Sequence, residues 1–196
     1  DPAGCHTEYG KTKAQATQDV LNCGTEGALE CVVLCPTGII GPYDHRGSQM
    51  GRAIKMQIKR GTGIFVSGAY DFVDVRDVAT AIKKSMSEGK NNQHYILSGC
   101  RVSVEELYAH IHEQTGSPAP RIKIPNSLVL PFSYMSAITN RLIRRDSLYT
   151  PDALRTLWSN SNISSELARS TLGYSSRPWR ESLSDQIDWM QTSNIV

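Results

Sequence analysis

Residues 29–42 read Leu29-Glu30-Cys31-Val32-Val33-Leu34-Cys35-Pro36-Thr37-Gly38-Ile39-Ile40-Gly41-Pro42, an apolar run followed by a turn rich in glycine and proline. Such a run, closed by a proline, is typical of a strand that is buried on both faces of a parallel sheet. Residues 36–47 are therefore predicted to form a loop at the carboxyl end of this strand. Open α/β sheets bind their ligands at such loops.

Helical and strand patterns alternate on either side of this strand, which indicates an α/β domain. Residues 8–22 contain no proline, and no glycine after Gly10, so they favour a helix that ends at Gly24. Ser103 and Glu106 form a capping-box pattern, which predicts the start of a later helix. The other predicted elements are a helix over about 48–59, strands over 64–66 and 71–75, a helix from about Asp77, a strand over 94–97 and a helix ending near 115.

The chain beyond Gly116 has a looser, mainly helical pattern. Helical stretches are predicted over 126–145, interrupted by Pro131, and over 151–158, 165–172 and 179–190. No linker rich in serine and glycine divides the chain, so we expect one contiguous body. A basic cluster in this region could bind a diphosphate or simply complement a helix carboxyl end; its members are Arg141, Arg144 and Arg145.

The composition excludes several classes of protein. The chain has 196 residues, 39% of them hydrophobic, and a formal net charge of +2, which fits one ordinary domain and gives no sign of a nucleic-acid partner. No run approaches the ~20 apolar residues that cross a bilayer, so we expect no membrane association and a cytoplasmic location.

Five cysteines without a Cys-x-x-Cys spacing predict free thiols. His110 and His112 point to different faces of a helix, so no metal site is expected.

A tyrosine and a lysine lie four residues apart near the amino terminus, in Tyr9-Gly10-Lys11-Thr12-Lys13. In a helix this spacing places both side chains on one face, one turn apart. A free phenol has a pKa near ~10, so a tyrosine that transfers protons near neutral pH needs a cation beside it. Lys13 can be that cation. The pair alone also fits an exposed first helical turn with two solvated side chains.

Several segments, in the same order, resemble the extended short-chain dehydrogenases/reductases, the NAD-dependent epimerase/dehydratase family, in a dihydroflavonol-reductase-like form. They are residues 9–13, 35–43, 71–79, 95–99 and 165–174, so the resemblance covers almost the whole chain. It implies the C-terminal part of a Rossmann-type doubly wound parallel sheet with a smaller, mainly helical substrate subdomain. Residues 1–115 would form the C-terminal half of the Rossmann-like domain, with interleaved substrate-loop segments, and residues 116–196 the substrate-binding subdomain.

The resemblance also implies a role for each matching residue. Tyr9 would exchange a proton with a substrate hydroxyl or carbonyl oxygen while NADP or NAD exchanges a hydride at the carbon. Lys13 would hydrogen-bond the nicotinamide ribose and stabilise the phenolate, so both residues would also contact the cofactor. The remaining candidates, which would line the nicotinamide mainly through backbone groups, are Pro36, Thr37, Gly38 and Ile39, together with Ser48 in the same neighbourhood.

The sequence has no counterpart of the family's Gly-x-x-Gly-x-x-Gly loop, which binds the cofactor pyrophosphate. The family's catalytic Ser or Thr would also lie upstream of Asp1. We therefore expect an incomplete fragment of an oxidoreductase or of a nucleotide-sugar epimerase/dehydratase, acting on a small-molecule carbonyl or hydroxyl or on a nucleotide sugar. Such a fragment should self-associate or lack an N-terminal segment that covers its sheet edge. The alternative is a non-catalytic binding or regulatory module that retains the substrate half of the fold.

Overall fold

The computed structural model describes residues 5, 7–25, 27, 29–61, 63–129, 151–159 and 162–196. Within them, helices and short strands alternate along the chain, as expected for an α/β fold. The helices are α1 (Glu8–Thr25), α2 (Gln49–Arg60), α3 (Val75–Glu88), α4 (Val104–Thr115), α5 (Pro151–Trp158), α6 (Glu166–Leu172) and α7 (Trp179–Thr192). The strands are β1 (Val32–Pro36), β2 (Gly38–Ile40), β3 (Ile64–Val66), β4 (Ala69–Asp74), β5 (Gln93–Leu97), β6 (Cys100–Ser103) and β7 (Ile122–Ile124).

Most strand pairs are parallel. β1 pairs with β5 over its whole length, from Val32 opposite Gln93 to Pro36 opposite Leu97. β2 pairs in parallel with β4, which also pairs antiparallel with β6, and β3 pairs in parallel with β7. Only Thr37 separates β1 from β2, so the chain passes directly from one sheet to the next at this point.

The segment after β1 differs from the prediction in one respect. Residues 36–47 were expected to form a loop throughout, whereas Gly38–Ile40 form β2. The reason is tertiary: β4 presents a free edge, and Gly38 pairs with Phe72 there. The backbone of this segment is therefore held in an extended conformation along β4.

Three apolar clusters pack against the strands in the described part of the chain, and the third brings α5 to β3 and β7. In the first, α3 and α6 pack against β1 and β5, and in the second, α2, α4 and α7 surround β2, β4 and β6. The burial of each large side chain stabilises the fold by about 1.5–3 kcal/mol. Helices from the last third of the chain thus complete the core around the candidate site. The most buried members are Tyr95, Leu97, Ala168 and Leu172 in the first cluster and Ile54, Ile111, Leu183 and Ile187 in the second.

Side-chain caps fix the starts of α3 and α4. Ser103 and Glu106 form the predicted capping box of α4, with the Ser103 hydroxyl accepting from the Glu106 amide at 3.1 Å. Helix α3 begins at Val75 rather than near Asp77, because the Asp74 carboxylate accepts from the Arg76 amide at 2.7 Å and caps the helix. Asp77 lies in the first turn, where its negative charge interacts favourably with the helix dipole.

An ion-pair network joins α3 to the segment around the start of α7. The Arg177 amide and guanidinium both donate to Asp77, each at 2.8 Å, and Arg76 binds both Asp74 at 2.7 Å and Asp185 at 2.6 Å. The Asp74 side chain is fully buried. Burial would raise the pKa of Asp74, but hydrogen bonds from neighbouring donors, chiefly Arg76, and the positive charge of Arg177 together outweigh burial, so the pKa is lowered.

Some features predicted from the sequence fall beyond the residues described. Within the predicted helix over 126–145, residues 126–129 are helical, and the remainder, with Arg141, Arg144 and Arg145, lies outside the described residues. No helix in the described ranges is both long and apolar enough to cross a bilayer. All five cysteines are free thiols, of which Cys31 is buried while Cys23 and Cys100 are exposed.

Candidate functional site

Tyr9 and Lys13 lie on the first two turns of α1. The helix begins here because Thr7 caps it, with the Thr7 hydroxyl accepting from the Gly10 amide at 3.0 Å. Tyr9 is 74% exposed, so its phenol is open to a ligand. The Lys13 ammonium lies 5.7 Å from the centre of the Tyr9 ring, which confirms that the two side chains share a face. A proton-transfer pair would need both side chains on one face.

The neighbouring lysine differs from Lys13 in its surroundings. Lys11 forms an ion pair with Glu8 at 2.9 Å, and the hydrogen bond and charge of Glu8 raise the pKa of Lys11. Among the residues that the structure describes, no carboxylate lies within ion-pair distance of Lys13. Its charge is thus available to the Tyr9 phenol or to a ligand.

Thr37 is fixed by two long-range hydrogen bonds at the junction of β1 and β2. Its amide donates to the carbonyl oxygen of Leu97 at 3.1 Å, and its hydroxyl donates to Oδ1 of Asp71 at 2.7 Å. The same carboxylate oxygen accepts from the Gly99 amide at 2.9 Å. Since the hydroxyl proton goes to Asp71, the lone pairs of the Thr37 oxygen can accept a hydrogen bond from a ligand.

Strand β2 lies at the edge of its sheet. Among the described strands it pairs with β4 alone. Gly38 allows this close pairing, because an added Cβ would lie 3.0 Å from the Asp71 carbonyl oxygen and 3.1 Å from the Phe72 ring. Ile39 is 42% exposed and Pro36 is exposed too. The outer edge of β2 can therefore offer backbone groups to a planar ring.

Cys35 precedes this segment, and its thiol is half-buried. Burial raises the pKa of the Cys35 thiol, so the thiol stays protonated near neutral pH. A protonated thiol is a poor nucleophile. Cys35 is therefore a packing residue beside the candidate site.

Ser48 has a structural role at the start of α2. Its hydroxyl accepts from the Gly51 amide at 3.0 Å, and its own amide donates to the Asp44 carboxylate at 2.8 Å. Both bonds cap α2. The structure shows no direct contact, within the parts it describes, that links Ser48 to Tyr9 or Thr37.

The structure thus resolves the candidates into separate groups. Tyr9 meets Lys13, and residues 36–39 form a second group, in which Pro36 and Ile39 are exposed and the two residues between them are partly buried. No hydrogen bond or ion pair joins the two groups among the described residues. Sequence reasoning missed Asp71 as the side chain that holds this segment. The signal in the sequence was an aspartate within an apolar strand, because a carboxylate buried there needs hydrogen-bond donors. In the structure Asp71 is 7% exposed. No cluster of three or more potential metal ligands occurs in the described part of the chain.

Comparison with known proteins places these features in context. Residues 1–98 match the model of the NAD dependent epimerase/dehydratase family. Sterol demethylase protein B of Methylococcus capsulatus is 29% identical over 192 residues, which are 97% of this chain and 58% of that protein. 3beta-hydroxysteroid-dehydrogenase/decarboxylase isoform 1 of Arabidopsis thaliana is 27% identical over 207 residues, covering 95% of this chain and 46% of that protein.

Among solved structures, the crystal structure of gox2253 superposes with a TM-score of 0.80 and 25% sequence identity, over 98% of this chain and 58% of that one. This agreement supports the Rossmann-like α/β architecture. The chain spans roughly half the length of the curated relatives that it matches.

Proposed function

Since this chain belongs to the NAD dependent epimerase/dehydratase family, we propose that it carries the proton-transfer half of an NAD(P)-dependent oxidoreductase. The observation that carries this proposal is the exposed Tyr9 phenol one turn from Lys13, with 5.7 Å between the ammonium and the ring centre. A phenol transfers protons well when a cation stabilises its ionised form.

The proposed chemistry assigns one proton to Tyr9. In the reduction of a ketone, the Tyr9 hydroxyl donates its proton to the carbonyl oxygen; in the oxidation of an alcohol, the phenolate accepts the hydroxyl proton. Lys13 stabilises the negative phenolate oxygen and hydrogen-bonds the ribose of the cofactor. The cofactor, when bound, supplies or accepts the hydride at the neighbouring carbon.

The partly exposed segment after β1 suits the nicotinamide end of the cofactor. Ile39 offers an apolar surface, β2 is an edge strand among the described ones, and the Thr37 oxygen can accept a hydrogen bond from a carboxamide. Pro36 and Gly38 would complete this lining. Ser48 would contribute only from the edge, since capping α2 already engages its hydroxyl.

The pyrophosphate end of the cofactor needs residues that this chain does not contain. No Gly-x-x-Gly-x-x-Gly sequence occurs in its 196 residues. We propose that the complete gene product includes such a segment upstream, and that it pairs with the free edge of β1. The chain would then be the C-terminal portion of the enzyme, with residues 116–196 as its substrate-binding subdomain.

The substrate that we propose is a secondary alcohol or ketone on an apolar skeleton. Two relatives carry names that refer to sterol and hydroxysteroid chemistry, which supports this choice. A nucleotide sugar is the second candidate, supported by the epimerases in the family's name.

The first test is calorimetric titration of NAD and NADP into the 196-residue chain and into the complete gene product. Binding only by the longer protein would support a divided cofactor site. Turnover assays with a hydroxysteroid and with a UDP-sugar would then separate the two substrate classes. Binding by neither protein would contradict the proposal and favour a cofactor-free binding module.

A further inference from the structure

One face of α7 contacts the segment that follows β2. Asp185 and Gln186 on this face bind groups near the start of α3 and the end of β2. Trp189, one turn later, packs edge-to-face with two rings. The ring centres of Trp189 and Tyr43 are 6.2 Å apart, and those of Trp189 and His45 are 5.2 Å apart. The C-terminal helix is therefore in direct contact with the chain just beyond the candidate nicotinamide segment.

The central contact is a buried hydrogen bond between Gln186 and Gly41. The Gly41 amide donates to Oε1 of Gln186 at 3.1 Å, and the Gln186 side chain is 2% exposed. Gly41 is buried, with a φ of 126°, and an added Cβ would lie 3.0 Å from a methyl group of Val75. Water cannot easily replace the glutamine at such a site, so the amide depends on Gln186 for its acceptor.

Gly41 marks one end of the candidate nicotinamide segment. It directly follows Ile40, the last residue of β2. The other end is fixed at Thr37, whose amide and hydroxyl bind Leu97 and Asp71. The segment is thus anchored at both ends by residues distant in sequence, and only the Gly41 anchor comes from α7.

The flanking contacts hold the helix in the position that this bond requires. Asp185 binds Arg76 at 2.6 Å, and Arg76 in turn binds Asp74, which caps α3. Gln186 therefore approaches Gly41 from a helix that is already fixed to α3 on one side.

We propose that Gln186 is a positioning residue for NAD(P) binding, which sets the backbone of residues 38–40 through its hydrogen bond to Gly41. This inference rests on the proposed function. Without the glutamine oxygen, the buried Gly41 amide must move to reach another acceptor, and the end of β2 moves with it. The backbone groups of Gly38 and Ile39 then no longer match the nicotinamide.

The test replaces Gln186 with methionine, which keeps the length and apolar stem of the side chain but removes the acceptor. Gln191→Met is the matched control, because Gln191 lies on the same helix and is exposed. Both variants are made in the complete gene product. Amide hydrogen exchange of residues 38–41 is measured by NMR without cofactor, and NAD and NADP affinity is measured by calorimetry.

In the wild-type protein the Gly41 amide should exchange as slowly as the amides of β1 and β5. Gln186→Met should accelerate exchange at Gly41 at least tenfold, leave β1 and β5 protected, and weaken cofactor binding about tenfold. The kcat at saturating cofactor should stay within about threefold of wild type, because Tyr9 and Lys13 are untouched. Gln191→Met should change none of these quantities.

Three results would overturn the inference. Rapid exchange of Gly41 in the wild-type protein would show that Gln186 does not protect it. Unchanged cofactor affinity in a Gln186→Met protein with rapid Gly41 exchange would show that the anchor does not serve the cofactor. A Gln186→Met protein that fails to fold, beside a folded Gln191→Met protein, would make Gln186 a general core residue. By contrast, a wild-type protein that binds neither nucleotide would contradict the proposed function itself.

Discussion

The Thr37 hydroxyl and the Asp71 carboxylate are joined by a 2.7 Å hydrogen bond, and Gly99 donates its amide to the same carboxylate oxygen at 2.9 Å. One oxygen atom thus connects the junction of β1 and β2, the middle of β4 and the turn between β5 and β6. Because each donor comes from a different part of the chain, Asp71 sets the relative position of two sheets at the candidate site.

Replacement of Asp71 with alanine should lower the free energy of unfolding by about 2–4 kcal/mol, because two donors lose their acceptor in a buried place. Asp71→Asn should lower it by less than about 1 kcal/mol, since the amide oxygen can accept both bonds. Urea denaturation measures both values. If asparagine proved as damaging as alanine, the negative charge rather than the acceptor would be the important property.

The stability of the protein should depend on the ionisation of Asp74. The pKa of Asp74 is lowered in the folded state, so its stabilising effect is complete above the ordinary aspartate pKa of about 3.9 and is lost as the pH falls through the lowered value. Asp74→Asn should remove about 2–4 kcal/mol at pH 7, because Arg76 loses its buried partner. Its stability should also fall less steeply than that of the wild type below about pH 4.

Unfolding curves recorded from about pH 2 to about pH 8, a range that includes the ordinary aspartate pKa of about 3.9, would measure this effect. Asp19→Asn is the control, since Asp19 is exposed on α1. Equal acid sensitivity of the Asp74→Asn and wild-type proteins would show that other carboxylates control unfolding in acid.

Tyr9→Phe in the complete gene product should reduce turnover by about 10²–10⁴-fold, since it removes the proposed proton donor. The free energy of unfolding should change by no more than about 0.5 kcal/mol, because Tyr9 is 74% exposed. Lys13→Met should also reduce turnover. Lys11→Met is the matched control: Lys11 is paired with Glu8, so its loss should leave turnover near the wild-type value. Equal losses from the two lysine variants would argue against a specific role for Lys13.

Gly99→Ala should destabilise the protein by about 3 kcal/mol or more, because the added methyl group would overlap the backbone carbonyl oxygen of Phe72. Gly116→Ala provides the comparison. Gly116 ends α4 with a φ of 70°, but no atom lies within 4 Å of an added Cβ, so only backbone strain of about 1 kcal/mol is expected. Thermal unfolding followed by circular dichroism distinguishes the two. Similar losses would mean that the backbone near Gly99 can shift to make room.

The sequence by itself determined the features whose causes lie within a few neighbouring residues. The apolar run through Leu34 predicted strand β1, although burial on both faces was wrong, since its residues are only partly buried and Pro36 is exposed. The Ser103 and Glu106 pair predicted the start of α4, and the spacing of Tyr9 and Lys13 predicted their shared face. Each depends on side-chain periodicity or on a hydrogen bond across one helical turn, and both are determined by residues close together in the sequence.

Only the tertiary structure decided the features that join distant positions. β2, β6 and β7 have three or four residues each and form because a partner strand lies beside them. Gln186 meets Gly41 across 145 positions, and Arg177 meets Asp77 across 100. No local pattern specifies such contacts, because they arise when packing brings buried donors and acceptors together and burial then requires that each be satisfied.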